Sequence, residues 1–123
     1  MNIIRKTEYV TFFHLDMRNF DFEKSHGEPT TSINVQTQIL KVNKEEKVTD
    51  IKMIFHGIIT LDKYTVSANL EQISRITGAA YSSKEEMSGE ELQELVKPLI
   101  AMLKRLTFEA TESAFGEGVE LII

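Results

Sequence analysis

The sequence predicts an α+β domain in which a four-stranded antiparallel sheet is covered on one face by a C-terminal helix. Three observations carry that prediction. Residues 88–115 place Leu92, Leu95, Val96, Leu99, Leu103, Leu106 and Ala110 three and four positions apart, the period of one helical stripe. Upstream, residues 31–70 alternate apolar and polar side chains, the pattern of half-buried strands. The links between those alternating runs are hairpin-length, which leaves no room for crossover helices and excludes a parallel arrangement.

Residues 3–15 are rich in β-branched and aromatic side chains, with Tyr9, Thr11, Phe13 and Leu15 on one parity and Val10 and Phe12 on the other. They read as a single first strand. Residues 16–30 lose the alternation and collect Asn19, Asp21, Ser25, Gly27 and Pro29, residues that turn chains. Phe20 and Phe22 alternate inside this long connection, which suggests a short strand or a segment packed against a sheet edge.

From Thr31 the alternation returns, with Ile33, Val35, Thr37 and Ile39 on one face and Asn34, Gln36 and Gln38 on the other. The charged run from Asn43 to Lys47 predicts a hairpin into a third strand over residues 48–61. In that strand Ile51, Met53, Phe55, Ile59 and Leu61 share one parity, while Ile54 and Ile58 hold the other. Both faces are thus partly apolar, and one helical layer covers only one of them. The other side calls for a partner.

Asp62 and Lys63 form a polar turn, and Tyr64, Val66, Ala68 and Leu70 alternate along a fourth strand. Beyond Glu71, Ile73, Ile76 and Gly78 suggest a slipped parity and a bulge. Ser88 and Glu91 then match a capping box, which starts the helix. Pro98 lacks an amide donor and crowds the preceding turn, so a kink, or a break with a second helix from about Lys97, is expected. Gly116 and Gly118 mark the end of the helix, and residues 119–123 read as a short terminal strand.

The chain has 123 residues, a size that buries roughly two-thirds of its unfolded surface, so it reads as a single domain over 1–123. It contains no cysteine, which excludes a thiol nucleophile, a Cys-ligated zinc and a disulfide framework, and fits a reducing compartment. The formal net charge of −5 repels a phosphate backbone, and the pair Lys104–Arg105 is too small to reverse that. Nucleic acid is therefore not an expected partner. No apolar run of signal-peptide length follows the opening residues, and residues 51–61 are far short of the ~20 needed to span a bilayer. A soluble, cytoplasmic chain without a membrane partner is expected.

The order of first strand, Phe-bearing connection, antiparallel sheet and Pro-bearing helix resembles the SecB-like fold of bacterial export chaperones. The segments Lys97-Pro98-Leu99-Ile100, Leu103-Lys104-Arg105-Leu106-Thr107-Phe108-Glu109-Ala110-Thr111-Glu112 and Gly118-Val119-Glu120-Leu121 resemble an uncharacterised family of small cytoplasmic proteins from Gram-positive, lactic-acid-type bacteria. That family is itself similar to SecB in fold. The resemblance implies a homo-oligomer, dimeric or tetrameric, that holds unfolded or extended polypeptide in apolar grooves. Under it the first strand is an edge that helps assembly, and Phe12, Phe20 and Phe22 are groove residues.

The residues themselves nominate no catalytic set. His14, His26 and His56 lack the short spacings of a metal site, and His56 reads as a hydrogen-bonded sheet residue. Glu109 and Glu112 share a helix surface but have no third group beside them. Gly116-Glu117-Gly118 follows a helix instead of opening one, so it is no phosphate loop. Ser82 and Ser83 have no assignable base. No cofactor or metal is expected, and a non-enzymatic role is favoured. Phe12, Phe13, Phe20 and Phe22 crowd into eleven positions, more than one face accepts; they either bury internally or face a partner. The expected peptide- or partner-binding set is Phe12, Phe20, Phe22, Ile54, His56 and Ile58. The alternatives are a structural homo-oligomer with no open groove and a small enzyme.

Overall fold

The structure, a computed structural model, describes residues 2–123. Its elements are β1 (Asn2–Arg5), β2 (Tyr9–Met17), α1 (Phe20–His26), β3 (Ser32–Asn43), β4 (Val48–Thr60), β5 (Tyr64–Thr77) and α2 (Gly89–Phe115), with a 3-10 turn at Lys84–Glu86. They form the α+β architecture of one antiparallel sheet and a long C-terminal helix. The sheet order is β1-β5-β4-β3, with β2 also paired to β5.

Among the described residues the sheet has five strands, not four, because the expected first strand divides. β1 pairs with Ser74–Thr77 and β2 with Tyr64–Glu71, so the two lie end to end along one edge of β5. Gln72 causes the division locally. Its amide donates to the Lys6 carbonyl at 2.8 Å, while the Lys6 amide donates to the Ile73 carbonyl at 3.0 Å. A side chain thus takes a main-chain acceptor in the gap between the two strands.

One face of the sheet carries the core. β4 contributes Thr49, Ile51, Met53, Phe55 and Ile59, and β5 contributes Val66, Ala68, Leu70, Gln72, Ser74 and Ile76, all buried. The register pairs Ile51 with Ser74, Met53 with Gln72 and Phe55 with Leu70, which keeps these side chains on one face. No parity slips past Glu71. β5 continues straight to Thr77, and two polar residues, Gln72 and Ser74, occupy core positions and disguise the alternation. The register shifts lie elsewhere, between Val10 and Phe12 and between Ile39 and Lys41.

α2 lays Leu95, Val96, Leu99, Leu103, Thr107 and Thr111 on that core. The capping box forms as expected: Glu91 N–H donates to Ser88 Oγ at 3.1 Å and Ser88 N–H to Glu91 Oε1 at 3.0 Å. Met87 and Leu92 flank the cap at the positions of a hydrophobic staple. The expected break at Pro98 is absent, for α2 runs unbroken through it. Proline removes the amide that would bond the Glu94 carbonyl, and the Arg5 guanidinium of β1 donates to that carbonyl instead, at 2.8 Å.

α2 ends at Gly116, whose φ of 79° is left-handed and whose amide bonds the Glu112 carbonyl at 2.9 Å. The expected terminal strand is not formed. The tail folds back on α2 instead: Val119 N–H donates to Thr111 Oγ1 at 2.8 Å and Leu121 is buried. Gly118 permits this approach, because a Cβ there would lie 2.5 Å from the Phe108 ring. The connection bearing Phe20 and Phe22 is the helix α1, not a strand. Asn19 caps it by accepting from the Phe22 amide at 3.1 Å, and none of its residues is buried.

Candidate functional site

α2 covers one face of the sheet and leaves the other open. Because side chains alternate across a strand, the even positions of β4 and the odd positions of β5 point away from the helix. Register brings Phe12 of β2, Asn69 of β5, His56 of β4 and Asn34 of β3 into one row. The next row on one side holds Glu71, Ile54 and Gln36, and on the other His14, Ser67, Ile58 and Ser32. Four of the six expected binding residues, Phe12, Ile54, His56 and Ile58, therefore share the open face.

Their environment is amphipathic. The Phe12 ring meets His14 and His56 edge-on, with centroids 5.5 and 5.6 Å apart. Asn69 Nδ2 donates to Thr11 Oγ1 at 2.5 Å and to Glu71 Oε2 at 3.3 Å, and Glu71 pairs with Lys52 at 2.7 Å. At the far end Arg75 grips Asp50 with two bonds of 2.8 and 3.1 Å, which hold that carboxyl below the usual carboxylate range. Apolar rings and isoleucines thus stand among paired charges and amides.

Phe20 and Phe22 lie apart from that face. α1 sits beside the β4–β5 turn, where Arg18 donates to Glu23 at 3.1 and 2.5 Å and to the Leu61 and Asp62 carbonyls at 2.9 and 3.3 Å. The same guanidinium lies 4.8 Å from the Phe20 ring centre, and Phe22 stacks on His26 at 3.9 Å. Phe20 is 52% and Phe22 55% exposed, so each offers a ring to solvent. Phe13 turns the opposite way from Phe12 and packs on the core.

The groups weighed for chemistry stay scattered. His14 and His56 flank Phe12, whereas His26 bonds the Phe22 carbonyl at 3.0 Å. Glu109 borders a groove of about 480 Å³ with Lys104, Arg105, Phe108 and Leu121, and Glu112 is exposed outside that lining. Among the described residues no three His, Asp or Glu side chains are placed to hold a metal, and no helix is long and apolar enough to cross a membrane.

Sequence reasoning missed a second apolar groove, also of about 480 Å³, between the outer edge of β3 and the start of α2. Val35, Thr37 and Met53 form its sheet wall, and Met87, Leu92 and Val96 its helix wall. The signal was present in Ile33 and Val35. They carry the core parity yet remain 43% and 41% exposed, because α2 does not reach over β3.

Comparison with known proteins agrees with this architecture. A protein of unknown function from Streptococcus agalactiae is 34% identical, with a TM-score of 0.94 over 100% of this chain and 98% of its own. A SecB-like chaperone from Mycobacterium tuberculosis, solved in complex with a ChAD peptide from an antitoxin, is 9% identical. It superposes with a TM-score of 0.58 over 98% of this chain and 90% of its own, so the two share the SecB-like fold. No curated protein matches the chain. A family described as "Protein of unknown function (DUF1149)" matches residues 1–122, and the chain belongs to that family.

Proposed function

We propose that the protein is a non-enzymatic, cytoplasmic binding module of SecB type that holds extended apolar polypeptide or a protein partner and works as a homo-oligomer. The observation that carries the reading is the arrangement of layers. A single helix covers one side of the sheet, while Phe12, Ile54 and Ile58 on the other side and Phe20 and Phe22 on α1 have no apolar cover. The fold neighbour bound to a peptide supports the class of partner.

A second reading, a structural homo-oligomer, uses the same surface, since a second copy would cover the open face as well as a client does. Two measurements separate the readings. A chemically unfolded client protein is titrated with the purified chain while its aggregation is followed by light scattering. Suppression at stoichiometric ratio supports the binding module. Full aggregation of the client, together with a dimer that buries the open face, supports the structural oligomer.

A further inference from the structure

The outer edge of β3 combines two features that call for the same occupant. β3 ends the strand order, so among the described residues the main-chain groups on its outer side have no strand partner. Within this twelve-residue strand, residues 32–38 contain neither charge nor proline, the devices that normally blunt a free edge. The opposite edge is guarded. There the ladder is split between β1 and β2, shifts register after Val10, and carries Arg5, Lys6 and Glu8.

The groove of about 480 Å³ runs along the free edge on the helix side. A strand laid beside β3 would send alternate side chains to the same face as Val35 and Thr37, into that groove. Met53 and Met87 line it, and their flexible thioethers adapt to side chains of different shape. Charge discriminates between occupants. Residues 84–97, which include the helix wall, carry five glutamates against two lysines, with Lys84 and Glu85 at the groove itself and Glu94 paired to Lys97. Edge-to-edge pairing of two copies would bring both acidic stretches together across the dyad, whereas a segment with basic flanks would be attracted.

We infer that β3 accepts an extended polypeptide segment as a sixth strand, with apolar side chains at alternate positions filling the groove and basic residues on its flanks. This rests on the polypeptide-binding reading and adds the place and the mode of binding.

The test uses the full chain and a synthetic peptide of about ten residues, with leucine at alternate positions between lysine pairs. Two further versions carry backbone N-methyl groups, one on the leucines and the other on the intervening residues. Because successive amides of a strand point to opposite sides, one methylated version should lose at least about tenfold in affinity while the other keeps it. Amide exchange along β3 should slow when the peptide binds. Val35→Glu should weaken binding by at least about tenfold at unchanged melting temperature, since the site is on the surface. Equal binding by both methylated versions would overturn strand addition. So would failure of the peptide to bind in a preparation that still holds unfolded client, and that result would leave the binding-module reading intact. A peptide-free dimer with β3 amides already protected would overturn the inference in favour of a second copy.

Discussion

Tyr81 and Glu91 fasten the start of α2 to the loop that precedes it. The Tyr81 hydroxyl donates to the Glu91 carboxylate, which also serves the capping box, and this bond holds the Glu91 carboxyl below its ordinary range. The same bond, with burial, pushes the Tyr81 hydroxyl up to about 12. A carboxyl depressed in the folded state contributes stability above its unfolded value, ~4.3, and loses it as pH falls toward the folded one. A phenol raised in the folded state contributes below its unfolded value, ~10, and loses it as pH rises through the folded one. Tyr81→Phe should therefore destabilise by about 1 kcal/mol at neutral pH. The melting-temperature gap to the parent should narrow below about pH 4 and above about pH 10. A gap independent of pH would remove this account.

Thr107 makes the opposite kind of prediction. Its hydroxyl is fully buried between helix and sheet and, among the described residues, has no hydrogen-bond partner. Thr107→Val keeps the shape and removes an unmet polar group, so it should be neutral or stabilise by up to about 1 kcal/mol in denaturant unfolding. The sequence placed Thr107 within the helical segment but gave it no part in the apolar stripe, because a composition rule treats threonine as polar whatever surrounds it.

Among the elements, α2 shows how a distant residue overrides a local rule. Pro98 argues for a kink or a break, and only the fold reveals that Arg5, about ninety positions earlier, supplies the missing donor and that the helix continues unbroken. Arg5→Ala should cost up to about 1 kcal/mol in the parent and much less in a Pro98→Ala background, where the restored amide bonds the Glu94 carbonyl. Additive losses in that double-mutant cycle would refute the role. The apolar stripe itself was legible, and truncating its centre with Leu99→Ala should cost about 2–5 kcal/mol. α1 was not legible as a helix. Its seven residues are too few for periodicity, and its structure comes from the Asn19 cap and the Arg18–Glu23 clamp. Because α1 buries nothing, Phe22→Ser should change stability by less than about 0.5 kcal/mol in denaturant unfolding, while its suppression of client aggregation should fall.

At the scale of the molecule, a two-layer arrangement leaves one face of the sheet without a covering element among the described residues. That much followed from the two apolar parities of the β4 segment, as did the antiparallel order from the short polar links. The split of the first strand did not follow, since it depends on a glutamine in β5 that reads as a surface residue. The placement of Phe12, Ile54, His56 and Ile58 on one face was half legible. Parity along β4 aligned three of them, but the position of Phe12 depends on a register shift between Val10 and Phe12 that no local pattern announces. The β3–α2 groove was invisible for a similar reason, because its two walls come from segments about fifty residues apart.

Holding of an unfolded client is the readout that decides whether the uncovered surfaces bind extended polypeptide. With the purified chain at stoichiometric ratio, client aggregation followed by light scattering should be suppressed. Ile54→Asp with Ile58→Asp, at exposed or half-buried positions, should weaken that suppression while leaving the fold and melting temperature close to the parent, and adding Val35→Glu at the groove should abolish it. Full aggregation of the client in the presence of the parent chain would contradict the claim, as would undiminished suppression by a variant with both aspartates on the open face and Val35→Glu on the groove.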